Sequence, residues 1–502
     1  MTLFHHDSLY YSEKVKQKEV SVTELVERAL HNIEHYDDMN AVIHIQKDRA
    51  LRTAREMDKV LSTLSSEEIK ALPPFYGVPI VVKDLGQEEA GLPATNGSYL
   101  FKDYIAKTSS NFVTRLIENG FVIVGRTNVP EFGFKMVTDS DLLGNSYAPF
   151  GRPLSSGGSS GGAAAALKAG LVPAASGSDG GGSIRIPASF NGLIGLKPTR
   201  GRVTSGPGSY RQWQGASIDF FLTKSVRETY ELLKMMDVQP PAAPYIAPPL
   251  TFCELTPPKK RLKIAYSAES PIGSEVNDEA VKSLKYTVEV LESLGHEVVE
   301  DTVSIDGQKA IHSYFTMNMV ETAAMFKSME QSLGREITKD DVELISYGMY
   351  YAGLKVPGWM YTQSLSYWDT LSEQYHQFLD DNGYDFYLTP TMNGPTKDID
   401  QFKPSDEAFE KLNNIENLSD DEVSHIFEDV FKTSSAYSPY TWTLNLTGQP
   451  AISLPLYNTD EGLPVGSMFI ARKGEEDKLL QLALEIENAG RLDAKVFHPK
   501  KR

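Results

Sequence analysis

Ser183 closes a run of three glycines, Gly180-Gly181-Gly182, and is followed by Ile184-Arg185. Small residues let the main chain turn tightly, so that successive N–H groups can converge on one point, as stabilisation of an oxyanion requires. A serine hydroxyl becomes a useful nucleophile only when a base takes its proton. Lys83 is a candidate base, because it ends the apolar run Val78-Pro79-Ile80-Val81-Val82 and burial of an ammonium disfavours its charged form. Ser159 stands 24 residues before Ser183, inside a second cluster, Gly157-Gly158-Ser159-Ser160-Gly161-Gly162, and could pass a proton between lysine and nucleophile. Spacing alone leaves Ser160 open for the same role. Each motif also has a plainer reading: a strand-end lysine exposed to water, or a Gly/Ser linker. Against a linker, Ile184, Ile186, Pro187 and Leu193-Ile194-Gly195-Leu196 are apolar. Against a phosphate cradle, the GxxxxGK[ST] spacing is absent.

The elements that must hold these residues alternate between helix and short apolar strand. Ser21 with Glu24 has capping-box spacing, and Leu25, Ala29 and Ile33 continue a helical stripe, so a helix is expected over 21–62. A strand is expected at Val78–Val82, a helix at Asn111–Asn119, a strand at Phe121–Val124 and a turn at Gly125–Asn128. A helix then starts at Ala163 and is broken by Gly170 and Pro173. Further strands are expected at Leu262–Ala265, Asp385–Leu388, Ala451–Leu454 and Gly466–Ile470. This alternation favours an α/β sheet covered by helices. The proline-rich stretch 238–260 reads as a surface connection, residues 311–382 as mostly helical, and the acidic segment 416–430 as a solvated helix face.

Composition excludes several classes. Against 49 Lys+Arg stand 67 Asp+Glu, a net charge of −18 that repels nucleic-acid phosphates and anionic membranes. No direct nucleic-acid partner is expected. The single cysteine, Cys253, rules out an intramolecular disulfide, and the ten histidines form no CxxC- or HExxH-type metal pattern. No apolar run approaches the length of a membrane span, and the N-terminus lacks a signal-peptide core. A soluble, cytoplasmic protein is expected, folded as a single domain over 1–502.

Taken together, these motifs resemble the amidase signature family, whose GGSSGG…GSDxGGSIR pattern is matched by Gly157–Gly162 and Gly177–Arg185. The likeness covers nearly the whole chain. It includes Gly77–Asp84, Gly125–Phe132, Gly195–Gly201, Leu388–Thr391, Asn445–Ser453 and Gly462–Gly466. The stretch Ser178–Arg185 is similar to that of bacterial nylon-oligomer hydrolases within the family. One departure stands out: Gly180 occupies a position where many relatives carry threonine, which loses a side-chain hydrogen bond and keeps the backbone donors.

The resemblance implies a large mixed twisted sheet covered on both faces by helices, with 1–70 as an N-terminal helical segment and 311–440 as a variable, mostly helical pocket region. It implies a catalytic triad of Ser183 as nucleophile, Ser159 as bridging serine after a cis Gly158–Ser159 bond, and Lys83 as neutral base. The N–H groups of Gly180, Gly181, Gly182 and Ser183 form the oxyanion hole. Asp179 and Arg185 organise the loop, and Arg185 could also meet a substrate carboxylate. The expected reaction is hydrolysis of a small, mostly apolar carboxylic amide through an acyl-enzyme, with no cofactor and no metal, and with activity falling at low pH as Lys83 is protonated. Met136, Val137, Trp359 and Trp442 are the candidate pocket residues. The alternatives are the glutaminase subunit of a tRNA-dependent amidotransferase, which shares the triad, and a non-catalytic small-molecule binding protein. A homodimer stays open.

Overall fold

A computed structural model of the protein describes residues 3–492. Eleven strands form one mixed sheet: β1 (Val42–Ile43), β2 (Pro79–Lys83), β3 (Val122–Thr127), β4 (Ala174–Asp179), β5 (Ile194–Lys197), β6 (Ile218–Thr223), β7 (Lys263–Tyr266), β8 (Glu297–Glu300), β9 (Phe386–Pro390), β10 (Ala451–Asn458) and β11 (Pro464–Ile470). Their spatial order is β1-β3-β2-β4-β6-β5-β10-β11-β9-β7-β8. The trio β3-β2-β4 is parallel, as is β9-β7-β8, and the strands between are antiparallel. Every residue of β2, β3, β4, β5, β9 and β11 is buried. A strand buried on both faces must be covered on both, which is the expected helix–sheet–helix layering.

The differences from the sequence reading have local causes. The helix expected over 21–62 is two helices, Val22–Tyr36 and Lys47–Thr63, separated by β1. The Asp37 carboxylate accepts from the N–H groups of Ala41 and Val42, and such local side-chain capture competes with helix continuation. The expected turn at Gly125–Asn128 is largely strand, since β3 runs on to Thr127. Its Arg126 is buried rather than solvated, paired to Asp84 at 2.6 Å and donating to the Lys83 carbonyl at 3.0 Å. Residues 238–260 hold no regular element, and the acidic helix Asp420–Val430 buries Val423, Ile426, Phe427 and Val430. No helix among the described residues is long and apolar enough to cross a membrane.

Candidate active site

The site lies where parallel β2 and β4 end side by side. Ile80 and Val81 pair with Ala174 and Ala175, so the same register carries Lys83 alongside the last residues of β4. In open α/β sheets this carboxyl edge is where ligands bind. The Lys83 side chain is fully buried; its Nζ donates to Ser159 Oγ at 2.7 Å and to Ser178 Oγ at 2.8 Å. Burial lowers its pKa to about 7, against the opposing pull of the Asp219 and Asp179 carboxylates. Asp219, on the neighbouring β6, is pushed up to about 6 by burial, partly offset by a hydrogen bond from Gln87 and by Lys83. Ser178, Gln87 and Asp219 were not among the expected site residues. Ser178 lies in the GSDxGGSIR match, while Gln87 and Asp219 carry no signal in the sequence.

Geometry separates the two candidate bridging serines. Ser159 meets Lys83, and the bond before it, Gly158–Ser159, is cis. Ser160 instead is turned to β4, donating to the Ser178 carbonyl and accepting from the Ser178 N–H, each at 3.2 Å. Gly158 has to be glycine: a Cβ there would stand 2.6–2.7 Å from the backbone of Val137, which cannot step aside.

Asp179 ties down the nucleophile loop from inside. One carboxylate oxygen accepts from the Gly182 N–H at 2.8 Å and from Asn445 Nδ2 at 2.9 Å, and the other from the Ile184 N–H at 3.2 Å. Arg185 forks across both oxygens at 2.9 Å. Burial alone would raise the Asp179 carboxyl, but this guanidinium holds it well below the usual carboxylate range. Two expectations are corrected here. The Gly182 N–H is committed to Asp179, which leaves Gly180, Gly181 and Ser183 as the N–H groups of the loop without an acceptor among the described residues. Arg185 is fully buried, and its remaining donors are taken by the Thr441 carbonyl, Asn445 Oδ1 and Met468 Sδ, so it cannot reach a substrate carboxylate.

The departure at Gly180 has a partner. A Cβ at Gly180 would lie 2.8 and 2.9 Å from the Trp213 indole, which occupies the room a threonine side chain needs. Trp213 stacks nearly parallel on Phe134, with centroids 6.2 Å apart. The missing side chain is thus replaced by an aromatic wall rather than by a looser loop. Gly180→Thr is expected to cost about 1–3 kcal/mol in urea unfolding, as overpacking does, and Gly180→Thr/Trp213→Ala to recover part of it. A loss that is the same in both would count against the pairing.

Two lobes of open space meet at Ser183. The wide lobe, about 590 Å³, is lined by Ser159, Ser178, Gly180, Phe132 and Trp213 among others. The narrow lobe, about 70 Å³, is lined by Met136, Ile186, Phe315, Met349, Phe431 and Trp442. Gly133, Phe134, Gly181, Ser183 and Tyr314 face both. Of the candidate pocket residues, Met136 and Trp442 line the narrow lobe. Val137 does not: it borders an adjoining recess and sets its backbone against Gly158. Trp359 is 63% exposed at the start of the helix Gly358–Asp381 and lines neither lobe, whereas Trp368 is buried. Sequence pattern does not distinguish a core-facing tryptophan from one at a helix's outer end. The described residues bring His312, His425 and Glu428 together as a possible metal-ligand group, but these too line neither lobe.

A buried, near-neutral lysine hydrogen-bonded to a serine, beside a second serine on a loop of free N–H groups, is the constellation of a serine amidohydrolase. The chain belongs to the amidase family, whose model matches residues 24–480, and its fold and motifs are those of the amidase signature enzymes. It is 33% identical over 481 residues to a lipoamidase of Enterococcus faecalis, covering 94% of this chain but only 62% of that protein's length. It is 30% identical over 496 residues to a 6-aminohexanoate-cyclic-dimer hydrolase of Paenarthrobacter ureafaciens, covering 96% and 94%. A solved structure of a 6-aminohexanoate cyclic dimer hydrolase complexed with substrate superposes with a TM-score of 0.85 at 28% identity, over 99% and 98% of the two chains. The protein is an amide hydrolase.

Proposed function

We propose that this enzyme cleaves a secondary amide with an apolar acyl part, using Ser183 as nucleophile, Ser159 as proton bridge and Lys83 as base. Neutral Lys83 takes a proton through Ser159 as Ser183 Oγ bonds to the carbonyl carbon. The oxyanion rests on N–H groups of Gly180, Gly181 and Ser183. Collapse breaks the C–N bond, and the proton returns from Lys83 through Ser159 to the leaving nitrogen. Water then hydrolyses the Ser183 ester by the same relay. The observation that carries this reading is the 2.7 Å Lys83–Ser159 contact in a fully buried setting that holds the lysine near neutrality. Because Ser159 lines the wide lobe and not the narrow one, the leaving amine belongs in the wide lobe and the acyl group in the narrow, apolar one. Relatives named for lipoamide and 6-aminohexanoate chemistry support an extended acyl part. The test is a panel of N-alkyl amides graded in acyl length, assayed with the wild type and Ser183→Ala. Ser183-dependent turnover is expected across the panel, and turnover surviving in Ser183→Ala would overturn the assignment.

The acid limb of kcat/KM should fall near the Lys83 pKa of about 7, activity being lost as pH drops and the lysine is protonated. The Asp219 carboxylate favours the charged lysine, so removing it lowers the lysine pKa further. Asp219→Asn is therefore expected to carry the acid limb to lower pH by ~1 unit. A pH–rate profile that moves to higher pH instead would contradict this electrostatic coupling.

A further inference from the structure

The two lobes differ in charge. Three carboxylates line the wide lobe, Glu88, Asp219 and Glu321, and no lysine or arginine stands among its lining residues; Lys83 lies behind Ser159 and Ser178 and is engaged by them. None of the three forms a salt bridge with a described residue. Glu321, on the helix Gly307–Leu333, is aimed by two donors to the same oxygen, Gln214 Nε2 at 2.9 Å and the Tyr361 hydroxyl, which leaves its other oxygen without a donor among the described residues. Among the described residues the Asp219 carboxylate accepts only from Gln87 Nε2, and that of Glu88 accepts no hydrogen bond. Burial raises the pKa of both Asp219 and Glu88, and the pull of Lys83 on the first and of Arg126 on the second only partly offsets it. In the narrow lobe, by contrast, the single charged residue, Lys135, is answered by Asp139 and Glu343, each at 2.7 Å.

Unpaired carboxylates in a half-enclosed cavity are costly unless a cation enters, because their mutual repulsion is poorly screened there. The aromatic wall of Phe132, Phe134 and Trp213 adds ring faces, which attract ammonium groups. The overall charge of −18 draws cations toward the mouth.

We propose that the wide lobe is a subsite for a leaving amine with a remote positive charge, so that the preferred substrates are N-acylated diamines or polyamines. This rests on the catalytic reading above, which puts the leaving nitrogen on the Ser159 side. Hydrolysis of such an amide adds one water, forms the carboxylic acid and releases the diamine, with no further reactant. A leaving fragment ending in carboxylate, as in a linear 6-aminohexanoate oligomer, meets three like charges and is disfavoured.

The test uses three substrates with one acyl group: N-(4-aminobutyl)octanamide, N-pentyloctanamide and 4-octanamidobutanoate. The full-length enzyme is expected to favour the first over the second by about tenfold in kcat/KM, corresponding to about 1.4 kcal/mol, and to hydrolyse the third most slowly. Glu321→Gln should cut the ratio of first to second severalfold. Glu88→Gln, whose carboxylate has no protein hydrogen bond to lose, should do the same where Glu321→Gln fails to fold. Ser183-dependent hydrolysis of all three at equal efficiency, or a preference for the carboxylate, would overturn the subsite and leave the catalytic reading standing. Hydrolysis of N-pentyloctanamide that persists in Ser183→Ala would instead overturn the catalytic reading, and the subsite with it.

Discussion

Ser183→Ala is expected to lower kcat for a competent amide by ~10⁴-fold or more, with thermal unfolding essentially unchanged. Ser183 is partly exposed at the meeting point of the two lobes, and no described residue hydrogen-bonds its hydroxyl. Its loss therefore removes a reacting atom without opening a buried network. Lys83→Ala should cost a comparable factor for a different reason. Ser159 would keep its position, but the proton would have no acceptor whose pKa matches working pH. The two losses should not add in the double variant, because nucleophile and base act as one unit. Retention of appreciable turnover by either single variant would remove that residue from the mechanism.

Arg185→Met is expected to be the largest stability change, about 3–5 kcal/mol, since breaking a buried pair leaves an uncompensated charge. Asp179 and Arg185 are both inaccessible, and the carboxylate also holds the Gly182 and Ile184 N–H groups that shape the nucleophile loop. The pH dependence gives the sign a check. In the wild type the Asp179 pKa is depressed, so its stabilisation is complete above the unfolded value of about 3.9 and is lost only as pH falls through the lower folded value. In Arg185→Met, burial without the guanidinium raises the folded pKa above the unfolded one. The penalty is then present above that raised value and fades as pH falls toward 4. Urea titrations at pH 7 and pH 4.5 should show the gap between variant and wild type narrowing at the lower pH; a constant gap would mean that Arg185 acts through packing alone.

Much of this site was legible because chemistry requires unusual residues in fixed order. A lysine ending an apolar strand and a serine ending three glycines are conspicuous, and the family motifs set them in one constellation. The strands β2, β3, β7, β9, β10 and β11 were visible as short apolar runs. What escaped is what small or distant residues do. β4, Ala-Ala-Ser-Gly-Ser-Asp, has no β-branched or aromatic residue to mark it as a strand. It forms because neighbours on both sides fix its register, and small side chains suit so crowded a position. Asp219 acts on Lys83 from another strand, so no local pattern betrays it, and Gln87, four residues beyond Lys83, looks like any polar loop residue until its side chain is placed. The glycine at 180 looked like a loss until the Trp213 ring was seen to fill its place. Trp359 failed as a pocket residue because helical position alone does not say which end of a helix faces the cavity.

The central claim is that Ser183 is activated by a buried lysine that titrates near neutrality. A fluorophosphonate probe tests it most directly, by intact mass followed by peptide mapping across pH 5 to 9. A single adduct on Ser183 is predicted, its rate of formation rising through pH about 7 with Lys83 deprotonation and collapsing in Lys83→Ala. An adduct on another residue, or labelling of Ser183 at a rate indifferent to both pH and Lys83, would contradict the account.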